Sequence, residues 1–292
     1  MESMTCCRMA AYATNYNTML PLISDLHIHT TASDGQYTPT ELVRLAKQHG
    51  IQVLAVTDHD TISGVNEAQR AGAALGLPVI RGVELSAKEY HNFHILGYGF
   101  RDEDTELSRL CEKLRAGRDD RKYQIIDFLR EKGVDVDLAE VEELAGGEVI
   151  ARPHFAQILV KHGYVSSNRE AFDRYLDTEE FQQKVKRFKA DSRTCVEAIK
   201  AAGGKVSLAH PYQMGLPDDE LETLVTQLKD WGLDAIECYY PKYTSEQQAL
   251  YLHLAEKYKL HQTGGSDFHG EKVKPDVELA KWPLDLEWLM DT

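Results

Sequence analysis

The sequence predicts an α/β protein, a parallel sheet or barrel of βα units interrupted by a helical insertion. Three observations carry this. Short apolar runs alternate with helical patterns over 21–103, the same alternation returns over 191–292, and 104–190 breaks the rhythm with helix-like segments alone. Repeated βα units of this length argue for parallel strands.

The elements follow in order. "PLISDLHIH" reads as a strand, and "TPTELVRLAKQHG" as a helix with Thr38 as N-cap, Pro39 in the first turn, Glu41 completing a capping box and Gly50 as the stop. "IQVLAVTDHD" is a buried strand, "SGVNEAQRAGAALG" a helix ending at Gly76, and "PVIRGVE" and "FHILGYG" are strands. The insertion opens with a long charged helix or helix pair, "DTELSRLCEKLRAGRDDRKYQIIDFLREKG", and continues with "RPHFAQILVKHG" and "SSNREAFDRYL". After it, "TCVEAIKAAGG", "DDELETLVTQLKDWG" and "SEQQALYLHLAEKYK" are helices, alternating with the strands "KVSLAHP", "DAIECYY" and "LHQTGGSDFH". The expected organisation is an N-terminal tail over 1–20, a discontinuous barrel from 21–103 and 191–292, and the insertion, sitting over the barrel, from 104–190.

Composition narrows the function classes. A chain of 292 residues with 42% hydrophobic and 27% charged content can bury a sizeable core. No apolar run approaches a membrane span, and "MESMTCCRMAAYATNYNTML" lacks a basic start followed by an apolar block. Cys6, Cys7, Cys111, Cys195 and Cys238 are odd in number and form no CxxC pair, so a cytoplasmic protein without disulfides or a thiolate metal site is expected. A net charge of −14 argues against bulk DNA or RNA coating, though bound cations could still make a pocket attractive to an anion.

The residues out of place in strands all lie at strand ends. His27 and His29 share a face of the first strand, because side chains repeat every two residues, and Asp34 follows in the loop. Asp58, His59 and Asp60 end the second strand, Glu84 ends the third and His94 opens the fourth; His210 ends "VSLAH", and Asp267 and His269 end the last strand signal. Strand ends gather at one rim of a parallel barrel, so six segments would deliver imidazoles and carboxylates to one place. Nitrogen and oxygen ligands without thiolate suit manganese, iron or zinc, and their number exceeds the needs of one ion. His49, His162, His253 and His261 have ordinary structural or surface explanations, and His91, three residues from His94 on a strand, faces the opposite way, so all five stay outside this set.

"DLHIHTTASDG", "VTDHDT", "GVE", "HILGYG", "AHP" and "GSDFH", in this order, resemble the polymerase and histidinol phosphatase (PHP) family of metal-dependent phosphoesterases. The resemblance runs from about residue 22 to near the end of the chain. It implies a distorted (β/α)7 barrel holding up to three divalent ions, Mn2+ first, with Fe2+ or Zn2+ as alternatives. By position it implies one ion on His27, His29, Glu84 and Asp267, a second shared by Glu84 with His94 and His210, and a third on Asp34, His59 and His269. Asp58 and Asp60 would orient ligands or hold loops. A hydroxide held at His27, His29, Glu84 and Asp267 would attack phosphorus in line, since no Ser or Cys nucleophile motif competes.

Within the insertion, Arg118 and Arg121 of "GRDDR" are neighbours on one helix face, and Arg152 and His154 of "ARPHF" stand at a helix start, where an anion is favoured. This layout is similar to the branch holding 3′,5′-nucleotide bisphosphate phosphatases and 5′→3′ exoribonucleases, which implies that these groups bind a second substrate phosphate. Two stretches depart from that branch: "YQMG" after "AHP", and "DTEEFQQKVKRFK" after "YL". The expected partner is a small phosphorylated substrate, a nucleotide such as AMP or a 3′,5′-bisphosphate, or short 5′-phosphorylated RNA, with no membrane. The alternatives are a histidinol-phosphate phosphatase and a non-catalytic metal-binding module.

Overall fold

The computed structural model describes residues 20–101, 105–146, 150–186 and 188–290, except the side chains of residues 118 and 119. The first half runs β1 (Leu22–Asp25), α1 (Pro39–Gln48), β2 (Val53–Val56), α2 (Val65–Leu75), β3 (Val79–Ser86) and β4 (His94–Tyr98). Helices α3 (Glu106–Glu131), α4 (Leu138–Ala145), α5 (Arg152–Lys161), α6 (Asn168–Ala171) and α7 (Glu179–Lys184) follow. The alternation then resumes with α8 (Ser192–Ala201), β5 (Lys205–Leu208), α9 (Asp218–Trp231), β6 (Ala235–Tyr239), α10 (Ser245–Tyr258), β7 (His261–Gly264), β8 (Trp282–Leu284) and α11 (Glu287–Met290).

The helix signals read from sequence operate as written. Thr38 and Glu41 form a reciprocal capping box on α1 with Pro39 in the first turn, and Gly76 takes the left-handed conformation that ends α2.

One sheet runs β7-β6-β5-β4-β3-β2-β1-β8 and curls into a nearly closed barrel. β8 is antiparallel to β1, and although most other neighbours are parallel, β4 is antiparallel to both β3 and β5. The cause is the connection over 87–93, because a parallel crossover needs about a dozen residues or more. This hairpin puts the first residue of β4 at the rim where its parallel neighbours end, with Ser86 opposite His94.

Closure occurs beyond the regular strands. Regular β1 stops at Asp25, and the residues beyond it also pair with the end of β7 and the segment that follows it. Leu26 N donates to Gly264 O at 3.0 Å, Asp267 N to His27 O at 2.7 Å and His29 N to Phe268 O at 2.9 Å. The histidines therefore sit in the seam. A Cβ on Gly265 would lie 2.2 Å from His27 Cβ, so only glycine lets the two edges approach. Gly265→Ala is expected to destabilise the fold by about 1–3 kcal/mol, the usual cost of overpacking, read as a lower chemical-denaturation midpoint.

Inside the barrel, Leu26, Val53, Ala55, Leu96 and Tyr98 form an apolar plug, and the Tyr98 hydroxyl donates to Leu26 O at 2.9 Å. Larger layers pack the helices on the outside of the sheet. Residues from α3 to Val185 enclose a separate cluster, with Ile125, Phe128, Leu129, Phe155, Leu159 and Phe181 buried together.

Candidate metal centre and substrate cleft

Strand ends deliver the candidate ligands to one rim, as the barrel geometry requires. His59 pairs with Glu84 through a parallel bridge just past β2, while Glu84 N donates to Asp58 O and Asp60 N to Glu84 O. Asp60 (φ 56°), Asp267 (φ 56°) and His210 (φ 22°) hold positive φ values that non-glycine residues seldom adopt. Strain concentrated at one rim is a recognised mark of a functional site.

All nine candidate ligands converge. Glu84 is 0% exposed and lies at their centre. Its Oε1 is 2.7 Å from His94 Nδ1, 3.0 Å from His210 Nε2 and 3.2 Å from His27 Nε2. Its Oε2 is 2.7 Å from His59 Nδ1 and 3.3 Å from His29 Nε2. Asp267 Oδ1 lies 3.3 Å from His29 Nε2 and 3.4 Å from His269 Nδ1, and Asp34 Oδ1 lies 3.3 Å from His269 Nε2.

The donor atoms fall into four overlapping groups: His29, Asp34, His59 and His269; His27, Glu84 and His210; His27, His29 and Asp267; and His59, Glu84 and His94. The residues are those the sequence pattern marks, but the grouping is more entangled than a division among three ions by motif order.

His27 Nε2, both ring nitrogens of His29, Asp34 Oδ1, Glu84 Oε2 and His210 Nδ1 are buried without a well-aligned hydrogen bond. Buried polar atoms left so carry a large desolvation cost. A cation accepting their lone pairs removes it, and the nitrogen-and-oxygen donor set suits a divalent transition metal. Burial pushes His94 down to about 3, against the opposing pull of Glu84, so its ring is neutral, as a ligand must be. The residues present therefore fit the metal ions.

A second layer of polar residues fixes this arrangement. Glu237, 0% exposed in β6, lies with Oε1 3.1 Å from His27 Nδ1 and accepts from His210 N at 2.7 Å. Asp58 accepts from Thr30 N, Thr30 Oγ1 and Ser33 Oγ, and so holds the loop that carries Asp34. Asp60 accepts from Ser86 N and Oγ, and Asp25 from Ser266 N, Ser266 Oγ and Ala280 N. Desolvation raises the Asp25 pKa to about 6 despite these bonds. Asp267 Oδ2 accepts from Tyr240 Oη at 2.9 Å and from Lys274 Nζ at 2.8 Å.

Glu237, Tyr240, Lys274 and Asp25 lie outside the set that the sequence pattern marks. Glu237 does carry a signal, a carboxylate inside the apolar run "DAIECYY", of the same kind that marks Glu84.

The centre lies in a cleft of about 840 Å³, walled by the helical segment. Arg121 lines it, with its guanidinium carbon 5.6 Å from the centre of the Phe181 ring. Arg152 also lines it, but its Nη1 donates to Asp177 Oδ1 at 2.5 Å and Leu176 O at 3.2 Å. His154 is 4% exposed and does not line the cleft; its Nδ1 accepts from Ala151 N at 3.1 Å, closing the first turn of α5. The Arg118 side chain lies outside the described residues. Gln213 from "YQMG", and Gln182, Lys186, Phe188 and Lys189 from the other divergent stretch, line the same cleft. Cys111, Cys195 and Cys238 are buried free thiols outside the cleft lining, so none of them is placed to attack a substrate.

Known proteins share this sequence pattern and architecture. The PHP domain profile matches residues 25–189. A 5′-3′ exoribonuclease of Haemophilus influenzae is 38% identical over 246 residues, covering 84% of this chain and 89% of that protein. A phosphoribosyl 1,2-cyclic phosphate 1,2-diphosphodiesterase of Eggerthella lenta is 33% identical over 265 residues, covering 86% of this chain and 95% of that one. Among solved structures, an amidohydrolase from Chromobacterium violaceum with bound sulfate and no metal superposes with a TM-score of 0.81 at 30% identity, covering 92% of this chain and 95% of the other.

Proposed function

We infer the reaction from a premise the comparisons establish: the chain belongs to the PHP family. It is a metal-dependent phosphoesterase, and we propose that it hydrolyses phosphate esters of nucleotides, AMP or 3′,5′-bisphosphates, or of short 5′-phosphorylated RNA. The observation that carries this is the nine-residue centre around Glu84 at the floor of a cleft with Arg121, Lys186 and Lys189 on its walls. On a chain of net charge −14, such a concentration of cations beside a metal centre favours an anionic substrate.

We assign His27, His29, Asp34, His59, Glu84, His94, His210, Asp267 and His269 to hold up to three divalent ions, with Mn2+ the first choice. Bound divalent ions supply a water of lowered pKa and neutralise phosphoryl oxygens. The protein's own contribution is positional. Glu237 fixes the His27 ring and the His210 backbone, Asp58 fixes the Asp34 loop, and the buried rim keeps the donor atoms aimed inward.

We assign the helical segment over 104–190 to substrate selection, since it supplies Arg121 and much of the cleft wall. Arg121 is the strongest candidate for a second phosphate contact. Arg118 is a proposed contact on its helix position alone. The Asp177 pairing of Arg152 and the capping bond of His154 support positioning roles for both, rather than direct phosphate contact.

Arg121→Ala should raise KM for a bisphosphate about tenfold or more with kcat little changed, because a hydrogen bond to a charged group contributes about 1.5–3 kcal/mol. Steady-state kinetics on a bisphosphate and on its monophosphate check this, with the effect confined to the former.

No helix among the described residues is long and apolar enough to cross a membrane. The buried free thiols support a reducing compartment, and we place the protein in the cytoplasm. The deciding experiment is phosphate release by the Mn2+-loaded protein across AMP, a 3′,5′-bisphosphate, 5′-phosphorylated RNA, a ribose 1,2-cyclic phosphate and histidinol phosphate. Preferred turnover of the first three supports the reading, and preference for either of the last two replaces the substrate class. No turnover of any, with metal bound, contradicts the enzyme reading.

A further inference from the structure

Lys274 is a cation in direct contact with a candidate ligand, and nothing in its sequence setting marks it. It sits in the loop "HGEKVKP" after β7, and the backbone there is tightly determined. Val273 N and Lys274 N both donate to Gly270 O, at 3.1 and 2.9 Å, and Val277 N donates to Lys274 O at 3.1 Å. Gln36 ties this turn to the centre, because its side chain accepts from Lys272 N at 2.9 Å and its own N–H donates to His269 O at 2.7 Å. Gly270 has φ +95°, and a Cβ there would lie 2.4 Å from Gln36 Cβ, so the turn depends on glycine.

The turn directs the Lys274 ammonium at Asp267. Nζ donates to Oδ2 at 2.8 Å, while Oδ1 of the same carboxylate faces His29 and His269. The Lys274 side chain is 34% exposed and lines the cleft. An ammonium has three N–H donors, and among the described residues one of them is used, on Asp267. The other two are left for the cleft.

An ion pair that merely steadies Asp267 does not account for this arrangement. The neutral Tyr240 hydroxyl already donates to the same oxygen at 2.9 Å. A fixed positive charge against a ligand oxygen works against cations in the centre, by simple Coulomb repulsion. The carboxylates of Asp34, Glu84 and Asp267 offset part of that opposition, and an anion in the cleft offsets more of it. We propose that Lys274 is a substrate-contacting residue, donating to a non-bridging oxygen of the phosphoryl group held over the centre. No proton transfer is required of it; its charge and its two remaining donors orient the phosphoryl group and complement its negative charge.

The inference rests on the phosphoesterase reading and is tested apart from it. Lys274→Met keeps the length of the side chain and removes the charge, and Lys274→Arg keeps the charge. Each is compared with wild type by metal affinity in a chelator competition, by orthophosphate affinity of the Mn2+-loaded protein, and by kcat and KM, with circular dichroism confirming the fold. Lys274→Met should bind metal as tightly as wild type or tighter, bind orthophosphate about tenfold to a hundredfold more weakly, and lose a similar factor in kcat/KM. Lys274→Arg should recover part of the phosphate affinity. Weaker metal binding in Lys274→Met would show that the residue only positions Asp267, and unchanged orthophosphate affinity would remove the contact; either overturns the proposal while leaving the phosphoesterase reading intact. If Lys274→Met fails to fold, Lys274→Gln takes its place and is judged by the same two affinities: retained metal with weaker orthophosphate supports the contact, and weaker metal or unchanged orthophosphate overturns it. A wild-type protein that releases phosphate from no ester overturns the function itself.

Discussion

Glu84→Gln should reduce phosphate release by about a thousandfold or more while the barrel stays folded. Glu84 is fully buried and stands within 3.3 Å of five imidazoles, so it touches more than half of the candidate ligands. Gln keeps the shape but removes the negative charge and turns one acceptor into an NH2 donor facing imidazole nitrogens. Metal ions contribute several kcal/mol of transition-state stabilisation, and each 1.36 kcal/mol is a factor of ten. The metal-free variant should be no more stable than the metal-free wild type. Burial opposes the Glu84 charge, but the surrounding imidazoles outweigh it and hold the carboxyl well below the usual carboxylate range, so the fold favours the charged form that Gln removes. Phosphate release, metal content and the thermal midpoint of the metal-free protein, measured on the same preparation, check all three parts. Full activity in Glu84→Gln would remove Glu84 from the centre.

Glu237→Gln has the next largest expected effect, about tenfold to a hundredfold in metal affinity or activity, the usual consequence of disturbing a residue that orients a ligand. The two Glu237 oxygens divide the work. Oε1 takes the Nδ1 side of His27, leaving Nε2 for the centre, and Oε2 accepts from His210 N. An amide supplies one acceptor oxygen, so one of the two contacts is lost. Chelator competition separates this effect from a catalytic one. The affinity for metal should fall, and saturating metal should recover most of kcat. A kcat deficit that excess metal does not repair would assign Glu237 a different role.

The parts of the fold and site that are legible in sequence share a cause. His27, Glu84 and His210 interrupt apolar strand patterns with residues that a core excludes, and polar groups at six strand ends in order mark one rim. Local chemistry is legible too, from the Thr38–Glu41 box to the stop at Gly76.

What depends on three dimensions is not. The antiparallel setting of β4 follows from a short connection, yet the strand's own residues read the same in either direction. The grouping of nine candidate ligands into overlapping sets depends on side-chain rotamers, which motif order does not encode. Arg152 and His154 read as free phosphate-binding groups because neither Asp177 nor the capping role at Ala151 is visible in the spacing of "ARPHF". Lys274 is hidden for the opposite reason. A lysine in a polar loop is ordinary, and only the Gly270 turn and the Asp267 contact distinguish it.

The central claim is that this chain is a phosphoesterase whose chemistry depends on ions held by the centre around Glu84. The most direct test strips the protein with a chelator, restores Mn2+ in steps, and follows bound metal and phosphate release from a 5′-nucleotide or bisphosphate together. The account predicts no turnover in the stripped protein and activity that rises with occupancy of the centre, in wild type but not in Glu84→Gln. Undiminished phosphate release by the fully stripped protein would contradict it.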